Sequence, residues 1–252
     1  MNSRNGRTSI QTIFILVQTV LYVGFLALDL TGGSIPASVA LKYTIIILCF
    51  CYALPGADKS TFYLLQSALL FTLVSDLFIL ILDYYIYGVM TFIVAQELYC
   101  LRLTLLKNRS KAEEDASVDR RRKIGRAYFR RVLMQVLSSL VIYLLLYLVG
   151  VGMDELLIVS VFYFICILTN VISAITLAYR KPESKSNRLY AAGMLLFLLC
   201  DINVGVFNLS GFLSVPENVY TILYALSSIL MWTFYAPAQV LIAISSRYEK
   251  KL

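Results

Sequence analysis

Long, uninterrupted apolar segments constrain the fold of this chain more than any other feature. A helix needs about 20 consecutive apolar residues to cross a bilayer, and eight such segments occur, roughly at 11–30, 38–54, 61–82, 86–106, 130–149, 155–178, 189–209 and 218–244. None shows the alternation that a β-barrel strand requires. The sequence therefore predicts an all-α, multi-pass protein of the cell membrane. We expect residues 1–252 to form a single integral membrane domain, a bundle of about eight transmembrane helices.

Basic residues predict the orientation of the chain in the membrane. If the N-terminus is inside, 20 of the 22 lysines and arginines fall in inside segments, ten of them between Lys107 and Arg131. The outer loops carry acids instead, namely Asp83, Asp154, Glu155 and Glu217. Because cytoplasmic loops carry an excess of Lys and Arg, we expect cytoplasmic N- and C-termini and a cytoplasmic basic loop at about 107–129. A net charge of +7 spread over such loops does not indicate a nucleic-acid partner.

Two aspartates lie inside apolar segments, Asp76 in the third and Asp201 in the seventh. A carboxylate near the centre of a bilayer costs about 2.5–3.5 kcal/mol, so such residues are candidates for function. Glu97 in the fourth segment is a third buried acid. The chain has no histidine, which excludes Ser–His and Cys–His nucleophilic pairs and zinc sites with histidine ligands. Since an apolar environment favours a protonated carboxyl group, one buried acid can donate a proton while another acts as a base.

Helical spacing groups further polar residues with these acids. The residues that share a face are Thr72, Asp76 and Asp83 on the third helix, Phe92, Gln96, Tyr99 and Leu103 on the fourth, and Trp232, Tyr235 and Gln239 on the eighth. Lys42 lies near the outer end of the second helix, as a headgroup anchor or as the partner of a buried carboxylate or a lipid phosphate. We expect Arg102 to extend to the inner surface.

The two halves of the chain show a weak internal repeat. Ser75-Asp76 on the third helix is matched by Cys200-Asp201 on the seventh, and the sequence AQEL at 95–98 by AQVL at 238–241. A parallel duplication of four plus four helices would place both aspartates about one pseudo-twofold axis, facing a shared cavity.

The order of these residues, taken together, is similar to that in a known family. The matching positions are Lys42, Ser75, Asp76, Tyr87, Gly88, Phe92, 95–99, Leu196, Phe197, Cys200, Asp201, Tyr235 and 238–242. They resemble the YhhN-like membrane proteins, the lysoplasmalogenase family, over most of the chain. This resemblance implies hydrolysis of the vinyl-ether bond of lysoplasmalogens, a lysophospholipid-type substrate drawn from the membrane lipid, with no metal or organic cofactor.

The resemblance also suggests which residues act. It implies that Asp76 and Asp201 are catalytic, sharing the roles of acid and base. The side chains expected to bind the substrate are Lys42, Ser75, Gln96, Glu97, Tyr99, Tyr235 and Gln239.

Two residues depart from the family pattern. The fourth helix of the family usually carries a histidine where this chain has Gln96, and a glycine is usual where Ser75 stands. Because glutamine cannot shuttle a proton, the sequence leaves several functions open. They are a divergent hydrolase, a relative that acts on another lipid, and a lipid-binding protein without catalysis. Buried Asp, Glu, Lys and Gln side chains that line a cavity at the midplane would also suit a small transporter with a buried carboxylate site.

Overall fold

The computed structural model describes residues 2–54, 60–109, 117–211 and 216–248. Its α-helices are α1 (Asn2–Thr31), α2 (Ile35–Ala53), α3 (Ser60–Asp76), α4 (Tyr85–Arg109), α5 (Ser117–Leu148), α6 (Glu155–Arg180), α7 (Lys185–Phe207) and α8 (Glu217–Ser245). Eight helical segments in the described ranges are long and apolar enough to cross a membrane, the third of them running from α3 on to Ile81, and no strand occurs in those ranges. The prediction of an eight-helix membrane bundle is therefore confirmed. Lys59, Lys111, Lys250 and Lys251, which contribute to the predicted orientation, lie outside the described residues.

The segment at about 107–129, interpreted as a loop, is mostly helical. Helix α4 continues to Arg109 and α5 begins at Ser117, which leaves only 110–116 outside the described residues. The prediction ended both helices where the apolar segments end. Arginine and lysine are good helix formers, so a helix continues past the apolar region into its basic flank. The loop prediction is therefore wrong for 107–109 and 117–129, which are helical.

Side-chain caps set the first residues of several helices. Ser34 precedes α2 and accepts a hydrogen bond from the Ala37 amide, with Pro36 in the first turn. Asp154 accepts one from the Leu157 amide at the start of α6, at 2.7 Å, and Ser184 caps α7 in the same way. Such caps satisfy amides that have no partner within the helix.

Six helices form a closed ring around the interior. Going round it, α2 packs against α3, α3 against α4, α4 against α6, α6 against α7, α7 against α8, and α8 against α2. Helix α1 lies outside the ring against α2 and α8, and α5 lies outside it against α4 and α6. For every pair of helices in contact, the pair four helices further along the chain is also in contact, if α1 is counted after α8. A four-plus-four arrangement requires this relation. Descent from a duplication stays a prediction.

A π-helical turn follows Asp76 directly. Residues Leu77–Ile81 form this turn, and Asp83 beyond it is exposed with a φ of 58°. A π-turn widens the helix and shifts every later side chain around its axis. Asp83 therefore does not share the face of Thr72 and Asp76, which corrects the expectation from helical spacing.

Glycine and proline shape the contacts of α8. A Cβ atom at Gly193 of α7 would lie 2.9 Å from the Ala238 carbonyl oxygen, so the two helices are in close contact there. Pro237 lacks an amide hydrogen, which leaves the Thr233 carbonyl without its usual helical donor. The hydroxyl of Tyr22 on α1 donates to that carbonyl at 3.2 Å and joins α1 to the ring.

Candidate functional site

Asp76 and Asp201 each accept a hydrogen bond from a tyrosine on a different helix. The Tyr235 hydroxyl on α8 donates to Asp76 Oδ2 on α3 at 2.6 Å, and the Tyr163 hydroxyl on α6 donates to Asp201 Oδ2 on α7 at 2.8 Å. Asp76 is buried at 4% exposure, whereas Asp201 is only partly buried. A hydroxyl donor stabilises a carboxylate without cancelling its charge. Neither acid pairs with Lys42.

Aromatic rings fill the space between the two tyrosine–aspartate pairs. The ring of Phe92 lies 5.7 Å from that of Tyr163, 5.8 Å from Phe197 and 6.4 Å from Tyr235. Phe197 and Tyr235 are 5.3 Å apart, mostly edge to face. Phe92 thus contacts the tyrosine partner of each aspartate. Both acids therefore border one aromatic cluster inside the helix ring.

A hydrogen-bond network from α5 ends beside this cluster. Arg131 donates to the Asn170 side-chain oxygen at 2.8 Å, and the Asn170 amide donates to both the backbone and side-chain oxygens of Gln96, each at 2.8 Å. Gln96 lies beside the Tyr163 hydroxyl. The predicted stripe on α4 is buried as expected, because Phe92, Gln96, Tyr99 and Leu103 are all at most 8% exposed.

Lys42 is engaged with an acid that the sequence did not single out. Its ammonium lies 2.8 Å from Asp29 Oδ2 on α1 and within 5.5 Å of the ring centres of Phe25 and Trp232. Asp29 also accepts from the Ser38 hydroxyl at 2.5 Å. Of the alternatives for Lys42, the carboxylate partner is the one observed. The Trp232 ring packs on Tyr235 at 5.2 Å and so connects this ion pair to the carboxylate site.

Two further residues lie apart from the aspartates. Glu97 faces α5, where it accepts a hydrogen bond from the Tyr128 hydroxyl at 2.9 Å. Arg102 is 1% exposed, with its guanidinium 4.6 Å from the centre of the Tyr190 ring. The expectation that Arg102 extends to the surface is therefore wrong, because a guanidinium can be retained inside by stacking on an aromatic face.

Sequence reasoning missed Tyr163 and Asp29. The chain contains 18 tyrosines, and no spacing along α6 shows which of them reaches an aspartate on α7. Asp29 lies in the last turn of α1, where an acid is ordinarily a surface residue. The one signal available for it was the unpaired Lys42 on the next helix, near the same end.

The arrangement suits acid–base chemistry on an apolar molecule. It offers two carboxyl groups, each positioned by a hydroxyl donor, and aromatic faces that stabilise a positive charge between them. Within the described part of the chain, no three His, Cys, Asp or Glu side chains lie together as a metal site would require.

Comparison with known proteins gives a family match. The family model described as "YhhN family" matches residues 37–246, which include both aspartates and both tyrosines. Searches of curated proteins and of solved structures found no match.

Proposed function

The chain belongs to the YhhN family, and on this basis we propose that it is an integral membrane hydrolase of the lysoplasmalogenase type. Its substrate would be a lysophospholipid with a vinyl-ether chain, taken from the lipid of the cell membrane. The products would be a fatty aldehyde and a glycerophospho-base. Family membership supports the class of reaction, and the carboxylate site supports the chemistry.

One observation carries this proposal. Asp76 and Asp201, on two helices of the ring, border the same cluster of Phe92, Phe197 and the two tyrosines. Cleavage of a vinyl ether needs a proton donor, a base for water, and an apolar place for the chain. Two carboxyl groups that could take the acid and base roles, and apolar aromatic side chains beside them, support the proposal, because an unneeded carboxylate is costly in a membrane segment.

The reaction balances with water as the only co-reactant. One aspartate protonates the vinyl carbon that does not carry oxygen, and the π electrons form the new C–H bond. An oxocarbenium ion results, whose charge the aromatic faces stabilise. Water adds to the oxygen-bearing carbon and gives a proton to the other aspartate, forming a hemiacetal. The first aspartate, now a carboxylate, takes the proton of the hemiacetal hydroxyl and passes it to the glycerol oxygen, and the bond from the hemiacetal carbon to that oxygen breaks to give the aldehyde.

The tyrosines would keep the two acids in position during these steps. Tyr163 and Tyr235 each donate to one carboxyl oxygen, which leaves the other oxygen of each group to face the substrate or water. After the products leave, one proton passing between the aspartates restores the starting state. We assign Tyr235 to the substrate-binding surface as well, because its ring forms part of the aromatic cluster.

The test compares two neutral variants of the acids. Asp76→Asn and Asp201→Asn keep the size of the side chain but remove its acid–base function. We expect each to abolish aldehyde release from a lysoplasmalogen by the purified protein, with normal expression. Aldehyde and fatty acid are followed separately, with an ordinary lysophospholipid as the second substrate.

Asp83→Asn is the matched control, since Asp83 is exposed and lies beyond the π-turn. It should retain full activity. Retained turnover in both active-site variants would contradict the proposal. A wild-type protein that binds the lysolipid but releases no aldehyde would instead be a lipid-binding member of the family.

A further inference from the structure

A line of hydrogen-bonding side chains runs from Arg131 on α5 to Asp201 on α7. Arg131 Nη2 donates to Asn170 Oδ1, and Asn170 Nδ2 donates to Gln96 Oε1, both at 2.8 Å. The side-chain amide of Gln96 lies beside the Tyr163 hydroxyl, which donates to Asp201 Oδ2 at 2.8 Å. We name the four side chains Arg131, Asn170, Gln96 and Tyr163 the Asp201 relay. The relay connects a positive charge to one of the two acids.

Every donor of the relay points toward Asp201. A guanidinium group has no acceptor, so Asn170 must turn its oxygen to Arg131 and its amide hydrogens to the two oxygens of Gln96. The Nε2 atom of Gln96 is then the one directed toward Tyr163, whose single proton goes to Asp201 and whose oxygen can only accept. Gln96 is fully buried, and its Nε2 has no hydrogen bond of standard geometry to a described residue. The Tyr163 oxygen is therefore the acceptor available to it.

The carboxyl group of Asp76 has no such support. The rings in contact with its donor, Tyr235, are those of Phe92, Phe197 and Trp232, with centres 5.2–6.4 Å away. Gln239 follows Tyr235 by one turn on α8, at the position that the internal repeat makes equivalent to Gln96. Both amide atoms of Gln239 and the hydroxyl of Ser75 are buried without a hydrogen-bond partner among the described residues. One half of the molecule thus has an oriented glutamine, and the other half does not.

The ionisable groups around Asp201 supply no positive charge of their own. They are Tyr163 on α6, Tyr235 on α8, Cys200 beside it on α7, and Asp76 across the aromatic cluster. Arg247, in the last turn that packs against α7, lies over the Tyr52 ring instead. Glu97 accepts from Tyr128 and, in the described part of the chain, forms no ion pair with Arg131. The relay is therefore the connection through which a cation acts on Asp201.

The two roles in vinyl-ether cleavage need different starting states. The base must be a carboxylate before it takes a proton from water, and the acid must be protonated before it gives one. Donors aligned with a cation at their far end polarise one another, which strengthens the last hydrogen bond to a negatively charged acceptor. Two carboxyl groups in such different environments commonly divide the roles of acid and base between them.

We propose that Asp201 is the base of the reaction and Asp76 the acid. Asn170 and Arg131 are the positioning residues for this division, because they orient Gln96 at the centre of the relay. Gln96, expected from the resemblance to bind the substrate, acts within the relay instead. These roles rest on the proposed function, whereas the difference between the two carboxyl groups can be measured without it.

Infrared spectroscopy distinguishes the two aspartates without measuring activity. A protonated carboxyl group has a C=O stretch separate from that of a carboxylate, and each Asp→Asn variant removes the signal of one acid. In the full-length protein in lipid nanodiscs at neutral pH, we expect a protonated-carboxyl band that Asp76→Asn removes and Asp201→Asn retains. As the pH falls, a second band should appear, and Asp201→Asn should remove that one.

Asn170→Leu tests the relay, because leucine has a similar volume but no hydrogen-bonding atoms. The Asp201 band should then appear about one pH unit higher than in the wild type, since such a shift corresponds to the net contribution of a typical hydrogen bond. The acid limb of the profile of kcat/KM against pH should shift equally, whereas a merely structural effect would lower activity at every pH alike. Arg131→Met should shift both readings in the same direction, and it replaces Asn170→Leu if that variant does not fold.

Two further variants are matched controls. Gln135→Leu breaks another hydrogen bond between α5 and α6, from Gln135 to Thr169 at 2.9 Å, one turn beyond Arg131. Because this bond lies outside the relay, the band and the pH profile should stay at their wild-type positions. Arg131→Lys keeps a positively charged donor, so it should shift both readings less than half as far as Arg131→Met.

The outcomes separate this division of roles from the proposed function. A neutral-pH band that Asp201→Asn reduces, or that Asp76→Asn leaves unchanged, would overturn the division. An Asp201 band that neither Asn170→Leu nor Arg131→Met moves would overturn the relay. The expected bands in a protein that hydrolyses no vinyl ether would keep the relay and remove the hydrolase. Hydrolysis with the bands of the two acids reversed would keep the hydrolase and remove this division.

Discussion

Tyrosine hydroxyls are the observed donors to the carboxyl groups of Asp76 and Asp201, and neither carboxyl group has a cationic partner in the described residues. A lysine partner would fix a carboxylate in its charged form, whereas a hydroxyl leaves it able to gain and lose a proton. The ion pair of Lys42 with Asp29 is separated from Asp76 by Trp232 and Tyr235. The ion pair and the two carboxyl groups with hydroxyl donors therefore lie in different places.

A functional residue could be predicted from the sequence where its burial in an apolar segment is by itself energetically unfavourable. Asp76 and Asp201 could be selected from the sequence because a carboxylate in an apolar membrane segment costs free energy, and a functional role explains why it is kept. Tyr163 could not, because its role depends on which helix α6 packs against. Glu97 was selected for the same reason as the aspartates, yet it faces Tyr128 on α5, since one position along a helix turns a side chain about 100° away.

At this scale, the ion pair gives a prediction about Lys42. Lys42→Met should lower the free energy of unfolding by up to about 3–5 kcal/mol, because it leaves Asp29 charged and unpaired in a largely buried position. Adding Asp29→Leu should restore most of that loss. Thermal unfolding of the two single variants and the double variant in detergent measures both effects.

The same variants test whether Lys42 binds the lipid phosphate, as the sequence suggested. If it does, KM for a lysolipid rises in the double variant, although stability has been restored. An unchanged KM assigns Lys42 to the ion pair alone. Wild-type stability in Lys42→Met would contradict the structural role.

Helices were the most predictable elements, and the ends of helices the least. The apolar segments predicted all eight helices. The basic N-terminal turns of α5 were interpreted as a loop, because charged residues indicate where a chain leaves the bilayer but do not show where its helix ends. The π-turn at Leu77–Ile81 left no signal in an apolar run. It nevertheless determines that Asp83 leaves the face that Asp76 occupies.

The contact between α7 and α8 gives a prediction at the scale of elements. Gly193→Ala should destabilise the protein by about 1–3 kcal/mol, the usual effect of overpacking. The added Cβ would lie 2.9 Å from the Ala238 carbonyl oxygen and 3.1 Å from the Ile242 amide nitrogen, which are backbone atoms that cannot turn away. The melting temperature in detergent measures the effect.

Gly205→Ala is the control on the same helix, since nothing lies within 4 Å of its Cβ position. Alanine is the better helix former, so this variant should be as stable as the wild type or slightly more so. Equal melting temperatures for the two alanine variants would contradict a tight α7–α8 contact.

The whole molecule is a ring of six helices with two outside it, an order that the sequence did not predict. Apolar helices present similar surfaces, and nothing in their composition shows which of them are neighbours. The weak repeat between the halves was the one indication, and the recurrence of helix neighbours after four helices agrees with it. Paired side chains such as Tyr235 and Asp76 follow from this order, which is why they could not be foreseen.

The orientation of the ring in the membrane is a prediction for the whole chain. The distribution of basic residues places both termini in the cytoplasm. Green fluorescent protein fused after Leu252 should therefore fluoresce in a bacterial host. Alkaline phosphatase, which is active only outside the cytoplasm, should be active when fused after Gly152, between α5 and α6. The reverse pattern would contradict the orientation.

The two peripheral helices leave particular parts of the ring uncovered. Helix α1 lies over the seam between α8 and α2, and α5 over the seam between α4 and α6, while neither packs closely against α3 or α7. Those two uncovered helices carry the aspartates. In a bilayer, their outer sides, with Leu70 and Leu195 exposed, meet the acyl chains directly. An amphiphile that diffuses in the plane of the leaflet therefore reaches the ring directly at α3 and at α7, on opposite sides of the protein. At each of these places, a single helix separates the lipid from an aspartate carboxyl group.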